Sequence, residues 1–404
     1  MKYIAILGFG VVGGGIPEVL KLDCAKIKKL VGDDVEVKYI LDLRDFPDSP
    51  YASKVVHDIN IILNDKDIEV VCEVMGGSHP AREFTMECMT AGKSVVTSNK
   101  EVVANYGDEL LACAKKNGVS YLFEASVGGG IPVLRSFATS LAGEKIKTIT
   151  GIVNGTTNYI LTRMKKGGLS FESALAEAQA LGFAEKDPTS DIDGIDAKRK
   201  IIILLALATG KLYSSEYVKT NTMKEITSED MDSAAQIDGE VKLIARAEIK
   251  ENENVSVCVS PMIVKHSSLL SHISDVFNGI SVECETLGEV VFYGRGAGRM
   301  PTAGAVAADV CAVLSGSAQH EYIPEFTHAS DSSVNIYDNE KYDWCITAKA
   351  RDEELCYVLE HYDTSVKKLA RAGERARVIA SNISISEIKE AAEQLSEVRY
   401  IRVI

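Results

Sequence analysis

The chain has 404 residues, of which 46 % are hydrophobic and 25 % charged, values that are ordinary for a globular protein of two or three domains. Its net charge of −14 disfavours binding to nucleic acid or to an anionic membrane surface. No apolar run reaches the ~18 residues of a membrane span, and the amino terminus lacks signal-peptide architecture. The nine cysteines form neither CxxC nor Cys/His pairs. We therefore expect a cytoplasmic protein with reduced thiols and with no nucleic-acid or membrane partner.

Over residues 1–135, short apolar segments rich in β-forming residues alternate with segments of helical periodicity. The first two are YIAILGFG and VVGGGIPEVLKL, and the alternation continues to SYLFEA. Strands that alternate with helices predict an α/β fold with a parallel sheet. We expect this region to be a dinucleotide-binding domain of the Rossmann type, completed by a helix predicted over residues 301–316.

Two further regions follow. Residues 136–300 combine helices, among them the apolar segment AKRKIIILLALATG, with segments typical of antiparallel strands, which predicts an α+β catalytic and oligomerisation domain. Residues 327–404 read strand, helix, strand, strand, helix, strand, an order that resembles the βαββαβ order of ACT ligand-binding modules. The apolar second domain with its antiparallel strands favours a homodimer or homotetramer.

A glycine motif joins the first predicted strand to the first predicted helix, and it reads Gly8-Phe9-Gly10-Val11-Val12-Gly13. In this GxGxxG spacing the first glycine permits a tight turn, the second lets backbone approach a pyrophosphate, and the third lets helix and strand pack closely. The phosphate would lie at the helix N-terminus, where free N–H groups favour anions. The alternative is a glycine-rich turn without a ligand, but the strand and helix on either side favour dinucleotide binding.

The end of the second predicted strand, ILDLRD, offers two ways of contacting the adenosine ribose. Asp42 could accept a hydrogen bond from the 2′-hydroxyl of NAD, whereas Arg44 could pair with the 2′-phosphate of NADP. The sequence does not decide which side chain points towards the ribose, so both cofactors remain open.

An acidic segment precedes the apolar helix, with five carboxylates between residues 185 and 196. An EF-hand calcium loop is excluded, because alignment of the acids places Thr189 and Lys200 at positions where calcium needs carboxylates. A solvated face with helix caps is a second alternative. The sharper hypothesis rests on Asp196 and Lys200, which lie four residues apart and therefore share one face of a helix. A lysine held beside a carboxylate can serve as a proton donor.

The segment EASVGGGI runs from Glu124 to Ile131 and follows the last strand predicted for the nucleotide domain. Ligands of open α/β sheets gather at the carboxyl ends of the strands. Three consecutive glycines provide turning backbone whose carbonyl or N–H groups can face a ligand. The alternative is a flexible hinge between domains.

Over nearly its whole length the chain resembles homoserine dehydrogenases. The stretches that carry the resemblance match in order and spacing, and they are GFGVVGGG, SVVTSNKEVVA, EASVGGGIP, NGTTNYIL, GFAEKDPTSDIDGIDAKRK and GRGAGRMPTAGAVAAD. The resemblance implies reversible hydride transfer between NADP or NAD and L-homoserine, giving L-aspartate 4-semialdehyde, in threonine and methionine biosynthesis.

The resemblance also implies roles for individual residues. Lys200 is the general acid/base, Asp196 its partner, and Lys100 reaches both cofactor and substrate. Glu185 binds the substrate amino group, and the NGTT segment lines the substrate pocket with Gly155 and Thr156. Besides the glycine motif, Ser98 and Gly296 contact the cofactor. A structural sodium ion is expected on main-chain carbonyls of the segment that contains Glu124, Val127, Gly129 and Ile131.

Two alternative functions are a different type of dehydrogenase and a regulatory protein that catalyses no reaction. A dehydrogenase with a cysteine nucleophile would need a reactive thiol near a base, and Cys72, Cys88 and Cys113 have no supporting motif. A nucleotide- or amino-acid-sensing regulatory protein without turnover draws some support from the ACT-like order of the tail. The presence of both Asp196 and Lys200 favours the enzyme.

Overall fold

The computed structural model describes residues 1–321, 323–335 and 337–404. The backbone divides into two compact units. The first comprises residues 1–145, 199–214 and 292–329, and the second comprises residues 146–198, 215–291 and 330–404. The tail thus groups with the second unit, and the three domains predicted from the sequence stay a prediction. Within the described ranges, no helix combines the length and the apolar character that crossing a membrane requires.

The strands are, in chain order, β1 Lys2–Leu7, β2 Val35–Leu41, β3 Val55–Val56, β4 Ile68–Glu73, β5 Ser94–Thr97, β6 Tyr121–Leu122, β7 Ile146–Ile152, β8 Lys211–Leu212, β9 Lys219–Thr220, β10 Gly239–Ile249, β11 Val255–Lys265, β12 Phe277–Cys284, β13 Gly288–Arg295, β14 Thr327–His328, β15 Lys341–Lys349, β16 Ser365–Lys368, β17 Arg375–Ser384 and β18 Ser396–Val403.

The α-helices are α1 Val11–Leu22, α2 Cys24–Val31, α3 Ile59–Asn64, α4 Ala81–Thr90, α5 Lys100–Asn117, α6 Val133–Ala138, α7 Gly155–Gly167, α8 Phe171–Ala180, α9 Thr189–Ile192, α10 Ile195–Thr209, α11 Ser228–Gln236, α12 Arg299–Leu314, α13 Asp352–Leu359 and α14 Ile385–Ala392.

The first unit is built on a parallel sheet in the order β3-β2-β1-β4-β5-β6, which is the Rossmann order. Its central strands are apolar and buried, as expected for a parallel sheet that is covered by helices. Helix α12 packs closely on α1, where a Cβ added at Gly15 would lie 2.9 Å from the Cβ of Ala303. The predicted parallel α/β fold is therefore confirmed.

The second unit contains a largely antiparallel sheet in the order β13-β12-β7-β10-β11-β18-β15-β17-β16. Its long central pair, β10 with β11, is antiparallel along its whole length. The sequence analysis did not recognise β10, because Lys242 and Arg246 interrupt its apolar pattern. Lys242 is nonetheless buried and donates to the carbonyl of Ile273 at 2.6 Å, while Arg246 hydrogen-bonds Glu248 and Thr150.

The tail has the predicted order β15-α13-β16-β17-α14-β18. One face of β17 places Ala376, Val378 and Ala380 in a core shared with residues of α13 and α14. Strand β18 pairs with β15 on one side and, in parallel, with β11 on the other. The sheet of the tail is therefore continuous with the rest of the second unit's sheet.

Candidate functional site

The glycine motif forms a tight turn between β1 and α1. Gly8 has φ +92°, and a Cβ added at Gly13 would lie 2.0 Å from the carbonyl oxygen of Gly8, so both positions require glycine. Gly10, in contrast, faces open space. Of the intervening residues, Val11 is exposed, whereas Phe9 and Val12 pack against the core of the first unit.

No side chain caps the N-terminus of α1 at Gly10. The first N–H groups of a helix lack intrahelical partners, so this end can accept an anion. An open glycine beside an uncapped helix N-terminus fits the pyrophosphate of a dinucleotide.

Asp42 and Arg44 lie together at the end of β2. Asp42 accepts a hydrogen bond from the backbone N–H of Phe9 at 2.8 Å, which places its carboxylate against the glycine motif. Arg44 donates to both carboxylate oxygens at 3.0 Å. These hydrogen bonds lower the pKa of Asp42 to about 2. Asp42 is thus a firmly ionised acceptor next to the motif, while the Arg44 side chain is 63 % exposed.

Ser98 and Lys100 follow β5, and a buried carboxyl supports their segment. Glu73, at the end of β4, is fully buried and accepts hydrogen bonds from Thr97 Oγ1 at 2.6 Å and from the Met75 N–H at 2.8 Å. Its backbone carbonyl accepts from the N–H of Ser98 at 3.2 Å. Lys100 is the first residue of α5. Burial raises the pKa of the Glu73 carboxyl to about 7.

The first turn of α5 is tied to helix α10. Glu101 forms an ion pair with Arg199 at 2.8 Å and accepts a hydrogen bond from Ser78 at 2.9 Å. Arg199 directly precedes Lys200, which is buried. The contact links the segment that carries Lys100 to the helix that carries Lys200, and the sequence analysis did not single out either partner of this ion pair.

The glycine-rich segment 124–131 lies against residues 294–297. The N–H of Gly130 donates to the carbonyl of Arg295 at 3.1 Å, and a Cβ added at Gly129 would lie 2.5 Å from the carbonyl oxygen of Gly296. Gly128 and Gly129 both have positive φ. Backbone therefore approaches backbone here without room for a side chain, and the segment containing Gly296 is brought to the segment containing Ile131.

A buried charge cluster anchors the start of that segment. The Glu124 carboxylate accepts from the N–H groups of Leu134 and Arg135, which lie in the first turn of α6. Arg135 in turn pairs with Asp309 at 2.6 Å and with Glu321 at 2.9 Å. Burial raises the pKa of the Glu124 carboxyl to about 7. The side chain of Glu124 is thus occupied as a helix cap, which leaves only its main chain for a ligand.

In the second unit, Asn154 connects two carboxylates of the acidic segment. Its amide Nδ2 donates to Asp191 at 2.7 Å and to Asp196 at 2.9 Å. Its Oδ1 accepts from the N–H of Thr157 at 2.9 Å and so caps α7. A rigid helix terminus therefore orients Asp196, which is buried. The sequence analysis gave Asn154 no role of its own and pointed to it only through the NGTT segment to which it belongs.

The remaining predicted substrate residues lie at the same helix terminus or in the neighbouring loop. A Cβ added at Gly155 would lie 2.7 Å from the carbonyl oxygen of Val276, so the close packing requires glycine. Thr156 Oγ1 donates to the carbonyl of Phe183 at 2.6 Å, which ties the NGTT segment to the loop that contains Glu185. The side chain of Glu185 is exposed.

Two other acids of the segment have structural partners. Asp187 accepts from the N–H and hydroxyl of Thr189 at the start of α9. Asp193 accepts from Thr222 Oγ1 at 2.8 Å and pairs with Lys224 at 3.1 Å, and the Thr222 hydrogen bond lowers the pKa of Asp193. Among the described residues, no group of three or more His, Cys, Asp or Glu side chains is placed to hold a metal ion.

Parallel-sheet topology, the glycine turn and Asp42 at the strand end together define a dinucleotide-binding domain. A family model described as "Homoserine dehydrogenase, NAD binding domain" matches residues 8–124, and one described as "Homoserine dehydrogenase" matches residues 132–311. The homoserine dehydrogenase of Bacillus subtilis is 40 % identical over 314 residues, which cover 77 % of this chain and 72 % of that protein.

Solved structures give the same result. The structure of a homoserine dehydrogenase from Thiobacillus denitrificans has a TM-score of 0.91 at 30 % identity and covers 100 % of this chain and 98 % of that chain. A hyperthermophilic archaeal homoserine dehydrogenase in complex with NADPH has a TM-score of 0.66 at 28 % identity and covers 78 % and 98 % of the two chains.

The chain belongs to the homoserine dehydrogenase family. It is an oxidoreductase that acts on the CH–OH group of homoserine and has an NAD-binding domain. This confirms the enzyme over the regulatory protein without turnover.

Replacing Glu73 by Gln tests the buried carboxyl. Because its pKa is about 7 in the folded chain and near 4.5 in the unfolded one, the folded state holds a proton that the unfolded state has lost, and stability decreases as pH rises through this range. Glu73→Gln should therefore increase the free energy of unfolding at about pH 8 by roughly 2–3 kcal/mol more than at about pH 4.

Urea denaturation at the two pH values measures this difference. Glu69→Gln, at an exposed position of the same strand, serves as the matched control. Equal effects of Glu73→Gln at both pH values would show that the folded chain does not penalise the ionised carboxyl.

Proposed function

We propose that this chain interconverts L-homoserine and L-aspartate 4-semialdehyde reversibly with NADP or NAD, and that Lys200 is the general acid/base. The assignment of Lys200 rests on one observation. Lys200 is buried on helix α10, and so is Asp196, four residues earlier. Both side chains therefore lie on one face of a helix whose following turns are apolar and buried.

The bound nicotinamide supplies the hydride chemistry, and the protein binds, orients and moves a proton. In the direction of reduction, Lys200 gives a proton to the developing alkoxide of the substrate. In the direction of oxidation it takes that proton back. Asp196 accepts a hydrogen bond from Asn154 at 2.9 Å, which orients its carboxylate.

The other substrate contacts are proposed on the family resemblance and on position. Glu185 is an exposed carboxylate without a structural partner among the described side chains, which suits it to meet the substrate ammonium. Gly155 and Thr156 begin α7 and line the pocket, and Lys100 reaches substrate and cofactor from the first turn of α5. Ser98 and Gly296 contact the cofactor.

Lys200→Ala is expected to lower turnover of homoserine by at least ~10²-fold, the usual scale for a positioned acid or base. Dinucleotide affinity should change little, because the glycine motif is untouched. NADP- or NAD-dependent oxidation of homoserine, followed by the absorbance of the reduced nicotinamide, measures turnover.

Lys198→Ala is the matched control. Lys198 lies on the same helix, but its amine donates to the carbonyl of Ser215 at 3.3 Å. Turnover of Lys200→Ala near the wild-type rate, or an equal loss in both variants, would contradict the assignment of Lys200.

Cofactor preference is assigned to the ion pair of Asp42 and Arg44. We propose that Asp42 accepts from the ribose of NAD and that the exposed Arg44 pairs with the 2′-phosphate of NADP. Arg44→Ala should then weaken NADP selectively, by about tenfold in kcat/KM, whereas Asp42→Ala should weaken NAD and relax rejection of NADP. The ratio of kcat/KM for the two cofactors is the measurement, and an unchanged ratio in both variants would place the ribose elsewhere.

A structural sodium ion is proposed on the main chain of residues 124–131. Support comes from the segment's buried carbonyls. Within the described residues, no backbone N–H donates to the carbonyls of Val127 and Gly129, whereas those of Glu124 and Ile131 each accept one such bond. A ligand that binds only the folded state raises its stability. Sodium chloride should therefore raise the melting temperature above the value in choline chloride at equal ionic strength, and equal temperatures would exclude the site.

The cellular compartment, the pathway and the oligomeric state are also proposed. We place the enzyme in the cytoplasm, in the biosynthesis of threonine and methionine, as a homodimer or homotetramer whose tail is an ACT-like module. Growth of a homoserine-requiring strain on expression of this chain tests the pathway, and analytical ultracentrifugation determines the oligomer size.

A further inference from the structure

A cavity lies in the second unit, and none of its lining residues belongs to the acidic segment. Its volume is about 760 Å³, which is within the range of small-molecule sites. The walls are helix α11 and the hairpin that joins β16 to β17. The floor is the face of the tail's sheet that carries Lys349, Arg375 and Arg377, opposite the face that packs on α13 and α14.

Most charges around this cavity are already paired. Arg375 contacts Glu397 and lies 3.6 Å from Glu229, and Lys349 lies 3.7 Å from Glu374. Arg371 pairs with Asp352 at 2.7 Å and also donates to two backbone carbonyls. These cations and anions neutralise one another.

Arg377 differs from these residues. It is only 3 % exposed, and no hydrogen bond or ion pair joins its side chain to any described residue. Its Nε is buried without a partner. Buried charges are normally paired, because removal of a cation from water is unfavourable unless an anion or hydrogen bonds compensate it. A buried guanidinium that lines a cavity without a partner therefore indicates a missing anion.

The cavity is held open by contacts that leave Arg377 free. Gln236 of α11 exchanges hydrogen bonds with the main chain of Ala370 in the hairpin. Asp230 of the same helix pairs with Arg399 of β18. These contacts fix the helix to the sheet on two sides, so the site is formed before a ligand arrives.

We propose that this cavity binds a small molecule through its carboxylate or phosphate group, with Arg377 as the residue that pairs with the anion. A guanidinium presents two parallel N–H donors that match the oxygens of either group. Asp232, exposed on α11, is the one lining acid outside the ion pairs described above, and it opposes the binding of an anion.

Titration calorimetry on the full chain, in a buffer free of other oxyanions, tests the proposal with inorganic phosphate and succinate as probes. At least one probe should give saturable binding below ~10 mM, the range in which a millimolar site fills. Arg377→Gln should weaken it at least ~10-fold, as expected for the loss of charge-assisted hydrogen bonds. Asp232→Asn should strengthen it about twofold to fivefold, because a like charge is removed.

Arg351→Gln is the matched control, since Arg351 is an exposed arginine of the tail that does not line the cavity. Binding of phosphate alone or of succinate alone identifies the source of the anion. Absence of saturable binding with both probes, or wild-type affinity in a folded Arg377→Gln, overturns the proposal. If Arg377→Gln does not fold, the Asp232→Asn variant tests the proposal instead. An affinity of this variant for the probes no higher than that of the wild type overturns the proposal.

Discussion

Complete burial of residues 201–206, in the middle of helix α10, is the constraint on which the proposed chemistry depends. Six consecutive residues, 201–206, are at most 1 % exposed, so the helix is surrounded on all sides rather than along one stripe. Burial of their side chains contributes on the order of 10 kcal/mol, as an upper estimate. A helix fixed in this way cannot rotate about its axis. The positions of Asp196 and Lys200 are therefore set by apolar packing that takes no part in the reaction.

The carboxylates of the acidic segment have different hydrogen-bond partners and therefore different roles. Asp187 and Asp193 hold the backbone of the segment itself, whereas Asp191 and Asp196 share the amide of Asn154. Glu185 remains exposed. A dense run of acids thus needs no metal ion to hold it together, because hydroxyls, an amide and a lysine satisfy four of the five carboxylates.

The sequence predicted the features that depend on local patterns. Strand–helix alternation predicted the parallel sheet, GxGxxG predicted the tight turn, and the tail's βαββαβ order was recognised. Strand β10 was missed because its buried Lys242 and partly buried Arg246 resemble exposed positions until their partners are known. Asn154 and Glu73 were missed for a similar reason, since their partners lie far away along the chain, at Asp196 and Thr97. The sequence also could not decide whether Asp42 or Arg44 points towards the glycine motif. In the structure the two side chains are paired with each other beside that motif.

The parallel pairing of β18 with β11 makes the tail part of the molecule's own sheet rather than an appendage. Met262 and Ile263 of β11 pair with Arg402 and Val403, and the N–H of Ile404 donates to the carbonyl of Ile263 at 2.9 Å. Without the tail, this stretch of β11 would become an unprotected edge, and such edges recruit strands from other chains. Loss of the tail in evolution would therefore require another structural element that covers the edge of β11 and prevents aggregation.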